Sequence, residues 1–158
     1  NAGVEIISAA FLKYKHPGCT SCRQCQKKTG YGCVIEDDAA QVLLKMISAD
    51  VIVMATPLYF FGPSAQLKTV IDRMFSLYKW DNAAHTMTTP LKGKTLVFLG
   101  SGYEDAGFDT FEKPFQLTAE YSGMSYASLV VKNAGVSGEI VKQPGIYELA
   151  VELGKKFG

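Results

Sequence analysis

Asp50-Val51-Ile52-Val53-Met54-Ala55-Thr56-Pro57-Leu58-Tyr59-Phe60-Phe61-Gly62-Pro63-Ser64 is the stretch on which the fold turns. Its first six residues form an apolar run without polar alternation, the signature of a strand covered on both faces. A loop with three consecutive aromatics follows. Beyond it Leu67, Val70, Ile71, Met74, Phe75 and Tyr78 recur at i, i+3, i+4, i+7, i+8 and i+11, one face of an amphipathic helix. Gly62-Pro63 stands where a proline can open that helix without losing a needed N–H.

The same alternation extends in both directions. Lys94–Gly100 and Tyr126–Val131 are two further apolar runs, and Val4–Ala10 is a less apolar candidate strand. A helix is expected after Asp38, with Gln41 three residues on as a capping-box partner and Val42, Leu43, Met46 and Ile47 as its apolar face. Another is expected from near Pro114 to Gly123, although Asp109 and Glu112 could form a capping box for an earlier start. The last carries Ile146, Leu149, Ala150, Leu153 and Phe157. Strands alternating with helices specify an α/β, doubly wound parallel sheet of three layers.

Composition narrows the function. The 158 residues are 47% hydrophobic and 20% charged, which suits a single domain at 1–158 with a real core and argues against disorder. Sixteen Lys and Arg against fifteen Asp and Glu leave a net charge of +1, so no basic field marks nucleic acid or an anionic membrane as a partner. No apolar run approaches the roughly 20 residues of a membrane helix. Asn1 to Lys15 has no basic residue ahead of its apolar patch and reads poorly as a secretory signal, so the expected compartment is the cytoplasm.

In doubly wound sheets ligands bind beyond the carboxyl ends of the strands, which directs attention to the loops at 56–64 and 101–107. Tyr59, Phe60 and Phe61 cannot all enter one core. A flat apolar ligand lying across them would bury their faces at roughly 25 cal/mol per Å². The helix after Pro63 adds free N–H groups and a partial positive charge at the same crevice. A flavin wants both features; the other reading packs these rings under a neighbouring loop or at a dimer contact. In the second loop Ser101 and Tyr103 offer hydroxyls, Gly102 allows close backbone approach, and Glu104 and Asp105 are solvated turn residues.

All four cysteines fall in one segment, spaced Cys19-x2-Cys22-x2-Cys25-x7-Cys33. Three thiols two residues apart suit three corners of a cubane, and ferredoxin loops open with the same spacing. Structural zinc more often takes C-x2-C pairs from two separate knuckles. Free thiols, with Cys33 a small core residue at a strand start, are the remaining reading. Lys13, Lys15, Arg23, Lys27 and Lys28 surround this loop, where they form a solvated basic face or meet an acidic redox partner. His16 stands beside Pro17, and neither it nor the distant His85 is assigned a role.

Taken together, Cys33-Val34-Ile35-Glu36-Asp37-Asp38, Ala49-Asp50-Val51-Ile52-Val53, Thr56-Pro57-Leu58-Tyr59-Phe60, Ser64-Ala65-Gln66-Leu67-Lys68 and Ile71-Asp72-Arg73 resemble the flavodoxin-like NAD(P)H-dependent FMN reductases, and within them the iron–sulfur flavoproteins. The resemblance implies an FMN ring held by Pro57, Tyr59, Phe60, Phe61 and Gly62 on one side and by Ser101, Gly102 and Tyr103 on the other. It implies a [4Fe-4S] cluster on Cys19, Cys22, Cys25 and Cys33, NAD(P)H as reductant, and a homo-oligomer, dimer or tetramer. The expected activity is FMN-dependent transfer from NAD(P)H to a small-molecule or protein acceptor, with no acid–base residue assigned; the alternative is an electron carrier between protein partners.

One departure stands out. The family opens with a central strand, a phosphate-cradling loop rich in Ser, Arg, Asn and Thr, and a first helix, whereas this sequence begins where the second strand should be. An inner strand cannot be absent without leaving backbone groups unpaired. The resemblance therefore implies a protein longer by about 30 residues, the size of a strand, loop and helix.

Overall fold

The computed structural model describes residues 3–158; Asn1 and Ala2, where the signal reading begins, lie outside them. Its elements in chain order are a short helix α1 (Gln24–Lys27), α2 (Asp38–Ser48), β1 (Val51–Pro57), α3 (Ala65–Arg73), β2 (Lys79–Asp81), β3 (Thr86–Thr88), β4 (Thr95–Ser101), α4 (Phe108–Ser122), β5 (Ser125–Val131) and α5 (Ile146–Gly154).

β1, β4 and β5 form a parallel sheet in that order, and the expected α/β architecture is what the chain adopts. Val51 pairs with Thr95 and Thr95 with Ser125, and the ladders run without a slip to Pro57, Ser101 and Val131. In-register pairing brings all three carboxyl ends to one level, so the loops after β1 and β4 emerge side by side. Leu58 N–H donates to Ser101 O at 2.7 Å and Gly102 N–H to Val131 O at 3.1 Å, which prolongs that alignment past the strands.

The sheet's two faces differ. Ile52, Met54, Leu96 and Phe98 bury against Leu43 and Met46 of α2, Val70 of α3, Met74 in the turn that follows α3, and Phe108, Phe111 and Phe115 of α4. Phe98 stacks on Phe115 at 4.0 Å between ring centroids and meets Phe111 edge-on at 5.1 Å, geometries aromatic rings favour. The opposite face, with Val53, Val97, Leu99 and Leu129, looks toward Ile146, Ala150 and Leu153 of α5 across an apolar cavity of about 360 Å³. β4 is covered on both sides as expected, but β1 alternates, and Val53 is 55% exposed. Among the described residues no strand pairs with the outer edge of β1.

Several elements depart from expectation. Val4–Ala10 is not a strand: it runs without regular structure into a single 3-10 turn at Ala9–Phe11, and Val4 and Ile6 face solvent. It is tied down through polar groups instead. Tyr14 Oη donates to Ala9 O at 2.9 Å, and Lys45 of α2 pairs with Glu5. The cap of α2 is Asp37, not Asp38; its carboxylate accepts from Ala40 N–H at 3.2 Å. α3 opens at Ala65 behind Ser64, whose hydroxyl accepts from Leu67 N–H, so Pro63 lies ahead of the helix.

α4 starts six residues before Pro114, because Phe108, Phe111 and Phe115 share one stripe and their burial outweighs the hydrogen bond that a proline removes. Glu112 caps nothing; its carboxylate accepts from Tyr126 Oη and Ser128 Oγ of β5. The β2–β3 hairpin has no counterpart in the sequence reading. Its Trp80 stacks on Phe75 at 4.9 Å.

Candidate functional site

The loop after β1 is built from its polar ends inward. Thr56 Oγ1 accepts from Ser64 N–H and donates to Pro57 O, both at 3.0 Å, so one buried hydroxyl fixes the last strand residue to the cap of α3. Between these anchors Tyr59 and Gly62 exchange two backbone hydrogen bonds, at 2.9 and 3.1 Å, closing a tight hairpin. Its two central residues, Phe60 and Phe61, both have left-handed backbones, with φ of 47° and 64°. Turns of this kind normally carry Asn or Gly, and an L-residue with a side chain loses roughly 1–2 kcal/mol in that region.

The strained turn displays its rings. Phe60 is 100% exposed, and Tyr59 and Phe61 are mostly so. The reading in which these aromatics pack under a neighbouring loop therefore fails for Phe60. The Phe61 ring lies over Gly107 of the other loop, where a Cβ would overlap it. Tyr103 is also exposed, and Lys132 ties the second loop down by pairing with Asp105 at 2.8 Å. Gly102 is glycine for a different reason than ligand approach. It is buried, its N–H is spent on Val131, and a Cβ there would come within 2.5 Å of Phe108 Cζ. At Gly62, by contrast, a Cβ would meet nothing nearer than Tyr59 O at 3.9 Å.

Thr56, Gly100 and Ser101 also line the 360 Å³ cavity, so an apolar space lies beside Ser101 at the carboxyl rim. Exposed rings, an adjacent cavity and the capped N-terminus of α3 together suit a planar, partly anionic group such as a flavin. A larger groove of about 850 Å³ along α3 and α4, walled by Phe75, Tyr78, Trp80 and Tyr121, contains none of the residues of either loop.

The cysteines form the second constellation. Cys25 is buried, Cys33 half-buried, and Cys19 and Cys22 exposed. Cys33 is not at a strand start; it sits in the irregular segment before α2, where its Sγ accepts from Ile35 N–H at 3.5 Å. Burial raises the Cys25 thiol pKa above its ordinary value; Gln26, by hydrogen bonding, and Lys79 oppose that, while Cys33 and Cys22 push it further up. The soft, all-sulfur chemistry of the four cysteines suits iron–sulfur ligation. Among the described residues, however, no three His, Cys, Asp or Glu side chains converge as a metal-binding group.

A residue not singled out from the sequence holds this region together. Arg73, at the end of α3, is 1% exposed. Its Nη1 lies 2.7 Å from both carboxylate oxygens of Asp37, and Nη2 donates to Ile35 O at 2.7 Å. Asp37 also accepts from Lys15 N–H at 3.0 Å. Burial alone would raise the Asp37 pKa, but Arg73 and the N–H groups of Lys15 and Ala40 outweigh it and hold the carboxyl below the usual range. The signal available was an arginine three residues after Val70, at the edge of the apolar stripe.

A parallel sheet with helices between its strands and open loops at its carboxyl rim defines a flavodoxin-like α/β fold, and solved structures of that class share it. An azoreductase from Bacillus anthracis matches with a TM-score of 0.57, over 76% of this chain and 62% of its own, at 19% identity. An NADPH-quinone reductase from P. pentosaceus matches at 0.51, over 83% and 82%, also at 19% identity. The sequence pattern of NADPH-dependent FMN reductases matches residues 2–134, and the chain belongs to that family.

Relatives include an iron–sulfur flavoprotein of Methanocaldococcus jannaschii, 44% identical over 71 residues, and one of Archaeoglobus fulgidus, 34% identical over 74. These matches take in 45% and 47% of this chain. The chain spans about a third of those relatives' length, 36% and 33%. Among the described residues no helix is long and apolar enough to cross a membrane.

Proposed function

We propose that this chain serves an FMN-dependent oxidoreductase that draws electrons from NAD(P)H and delivers them to a small-molecule or protein acceptor. The supporting observation is the strained, solvent-facing hairpin at Tyr59–Gly62, set beside Ser101 at the carboxyl rim of a sheet whose family is defined by flavin reduction. Strain in an exposed turn persists where the displayed side chains have a task.

When bound, FMN would supply the redox chemistry, accepting hydride from the nicotinamide. The polypeptide's part is placement. Tyr59 and Phe60 would lie against the ring, with Pro57 and Gly62 holding the hairpin. Phe61, resting on Gly107, would set the spacing between the two loops, and Ser101 and Tyr103 would bound the far side with their hydroxyls. Gly102 would act through the backbone alone, keeping the loop close to β5.

The cysteine cluster favours a second reading on the same scaffold: a [4Fe-4S] cluster on Cys19, Cys22, Cys25 and Cys33, with the chain relaying electrons between protein partners in a homo-oligomer. Its support is the C-x2-C-x2-C-x7-C spacing and the names of the relatives at 44% and 34% identity. Anaerobic purification and an absorption spectrum test both. A flavin band with rapid bleaching by NAD(P)H supports the reductase. A broad brown absorption that Cys22→Ser removes, with reduction only by a ferredoxin-like donor, supports the carrier. Colourless protein that ignores added FMN sinks the flavin reading.

A further inference from the structure

α4 carries two faces. Phe108, Phe111, Phe115, Ala119 and Ser122 are buried. On the opposite stripe, Lys113, Leu117, Glu120 and Tyr121 recur at i, i+4, i+7 and i+8 and are all exposed. A helix with only solvent beyond it is polar on that side, yet here Leu117 and Tyr121 stand 49% and 57% exposed. Leu117, Glu120 and Tyr121 also line the groove of about 850 Å³ between α3 and α4, with Phe75, Tyr78 and Trp80 across from them. Trp80 stacks on Phe75, and the Tyr78 and Tyr121 centroids lie 5.6 Å apart, so the rings form one aromatic wall. Aromatic side chains around a desolvated depression are what protein interfaces use as anchors.

The charges on this face select the partner. Lys113 donates to Gln116 of its own helix at 3.2 Å, and among the described residues neither Lys113 nor Glu120 forms an ion pair. Seven residues separate them, roughly 10 Å along the helix, so they do not reach each other. A second α4 laid antiparallel, with a two-fold axis between Gln116 and Leu117, sets each copy's Lys113 opposite the other's Glu120 and brings the two Leu117 side chains to the centre. Asp72, the other carboxylate of the groove, is already paired with Lys68. The face therefore balances its charges and can meet its own image without repulsion, whereas a strongly acidic or basic partner finds no complementary field. We propose that this face is an isologous interface with a second copy of the chain, packed antiparallel through α4. It uses no cysteine and neither loop at the carboxyl rim, so it does not depend on flavin or iron.

Trp80 is the single tryptophan of the chain and lines the groove, so its fluorescence reports on this surface alone. The test is sedimentation velocity over a concentration series, with Trp80 emission and acrylamide quenching read on the same samples. The wild type is expected to form a dimer, with Trp80 emission moving to shorter wavelength and quenching falling as it does. Lys113→Glu and Glu120→Lys change exposed residues and are expected to fold normally. Each puts two like-charge pairs into its homodimer and is expected to weaken self-association about tenfold or more. Mixed in equal amounts, the two variants restore opposite pairs and are expected to recover the dimer, a rescue that the antiparallel two-fold contact produces. A wild type that stays monomeric at every concentration overturns the inference and leaves the groove to a foreign partner. A dimer that neither reversal weakens and that leaves Trp80 unchanged places self-association elsewhere and overturns it too. Weakening by both reversals without rescue in the mixture overturns the antiparallel pairing.

Discussion

The ring of Phe61 lies where a side chain at Gly107 would have to be. A Cβ at 107 would overlap Phe61 Cδ1 and sit 2.9 Å from Cε1, and Gly107 has a φ of +79°. The contact joins the loop after β1 to the loop after β4, the two that frame the candidate flavin site. Gly107→Ala therefore meets two penalties, a left-handed backbone worth roughly 1–2 kcal/mol and displacement of Phe61. The expected outcome is a loss of about 1–3 kcal/mol in urea unfolding, in the usual range for strain at such a position, together with weaker FMN binding in fluorescence-quenching titrations. Full affinity in a destabilised variant would separate the contact from the site.

Phe60 offers the reverse experiment. It is fully exposed and left-handed, so Phe60→Gly removes strain without removing a buried contact. Thermal unfolding of the flavin-free variant should shift upward, by an amount corresponding to about 1 kcal/mol less the entropy that glycine adds to the unfolded chain. FMN affinity should fall about tenfold, since one aromatic face of the slot is gone, worth roughly 1 kcal/mol or more. A variant that is more stable and binds FMN unchanged would remove Phe60 from the site.

Acid sensitivity should trace to Asp37. Its carboxyl is held below the ordinary value of 3.8 in the folded chain, so the protonated form is disfavoured there relative to the unfolded chain. A depressed folded pKa stabilises fully above the unfolded value, and that contribution is lost as pH falls from about 4 through the lower folded pKa. Asp37→Asn keeps a helix cap but strands the Arg73 charge. It is expected to lose about 3–5 kcal/mol at neutral pH and to show a flatter stability profile below pH 4. A variant whose acid limb parallels that of the wild type would place the titrating group elsewhere.

Thr56→Val tests the hydroxyl that fixes the first loop to α3. The replacement is nearly isosteric but leaves Ser64 N–H without its acceptor. The expected change is a lower urea midpoint, equivalent to about 1–3 kcal/mol, with the m-value unchanged. Weaker FMN binding should accompany it, because the hairpin carrying Tyr59 and Phe60 loses its anchor.

Strands β1, β4 and β5, the inner face of α3 and the two loops at the carboxyl rim could be read from the chain alone. Each follows from residues adjacent in sequence: an apolar run must be covered, a 3.6-residue stripe must face a core, and three successive aromatics cannot all turn inward. Where neighbours along the chain left a choice open, distant partners made it. Asp37 rather than Asp38 caps α2, and Arg73 comes to lie beside it from 36 residues away. Phe60 and Phe61 adopt left-handed backbones because Thr56, Ser64 and Gly107 hold the turn from three sides. Val4–Ala10 has strand-like composition and still forms no strand, since a strand is made by its hydrogen-bonding neighbour and propensity alone cannot supply one.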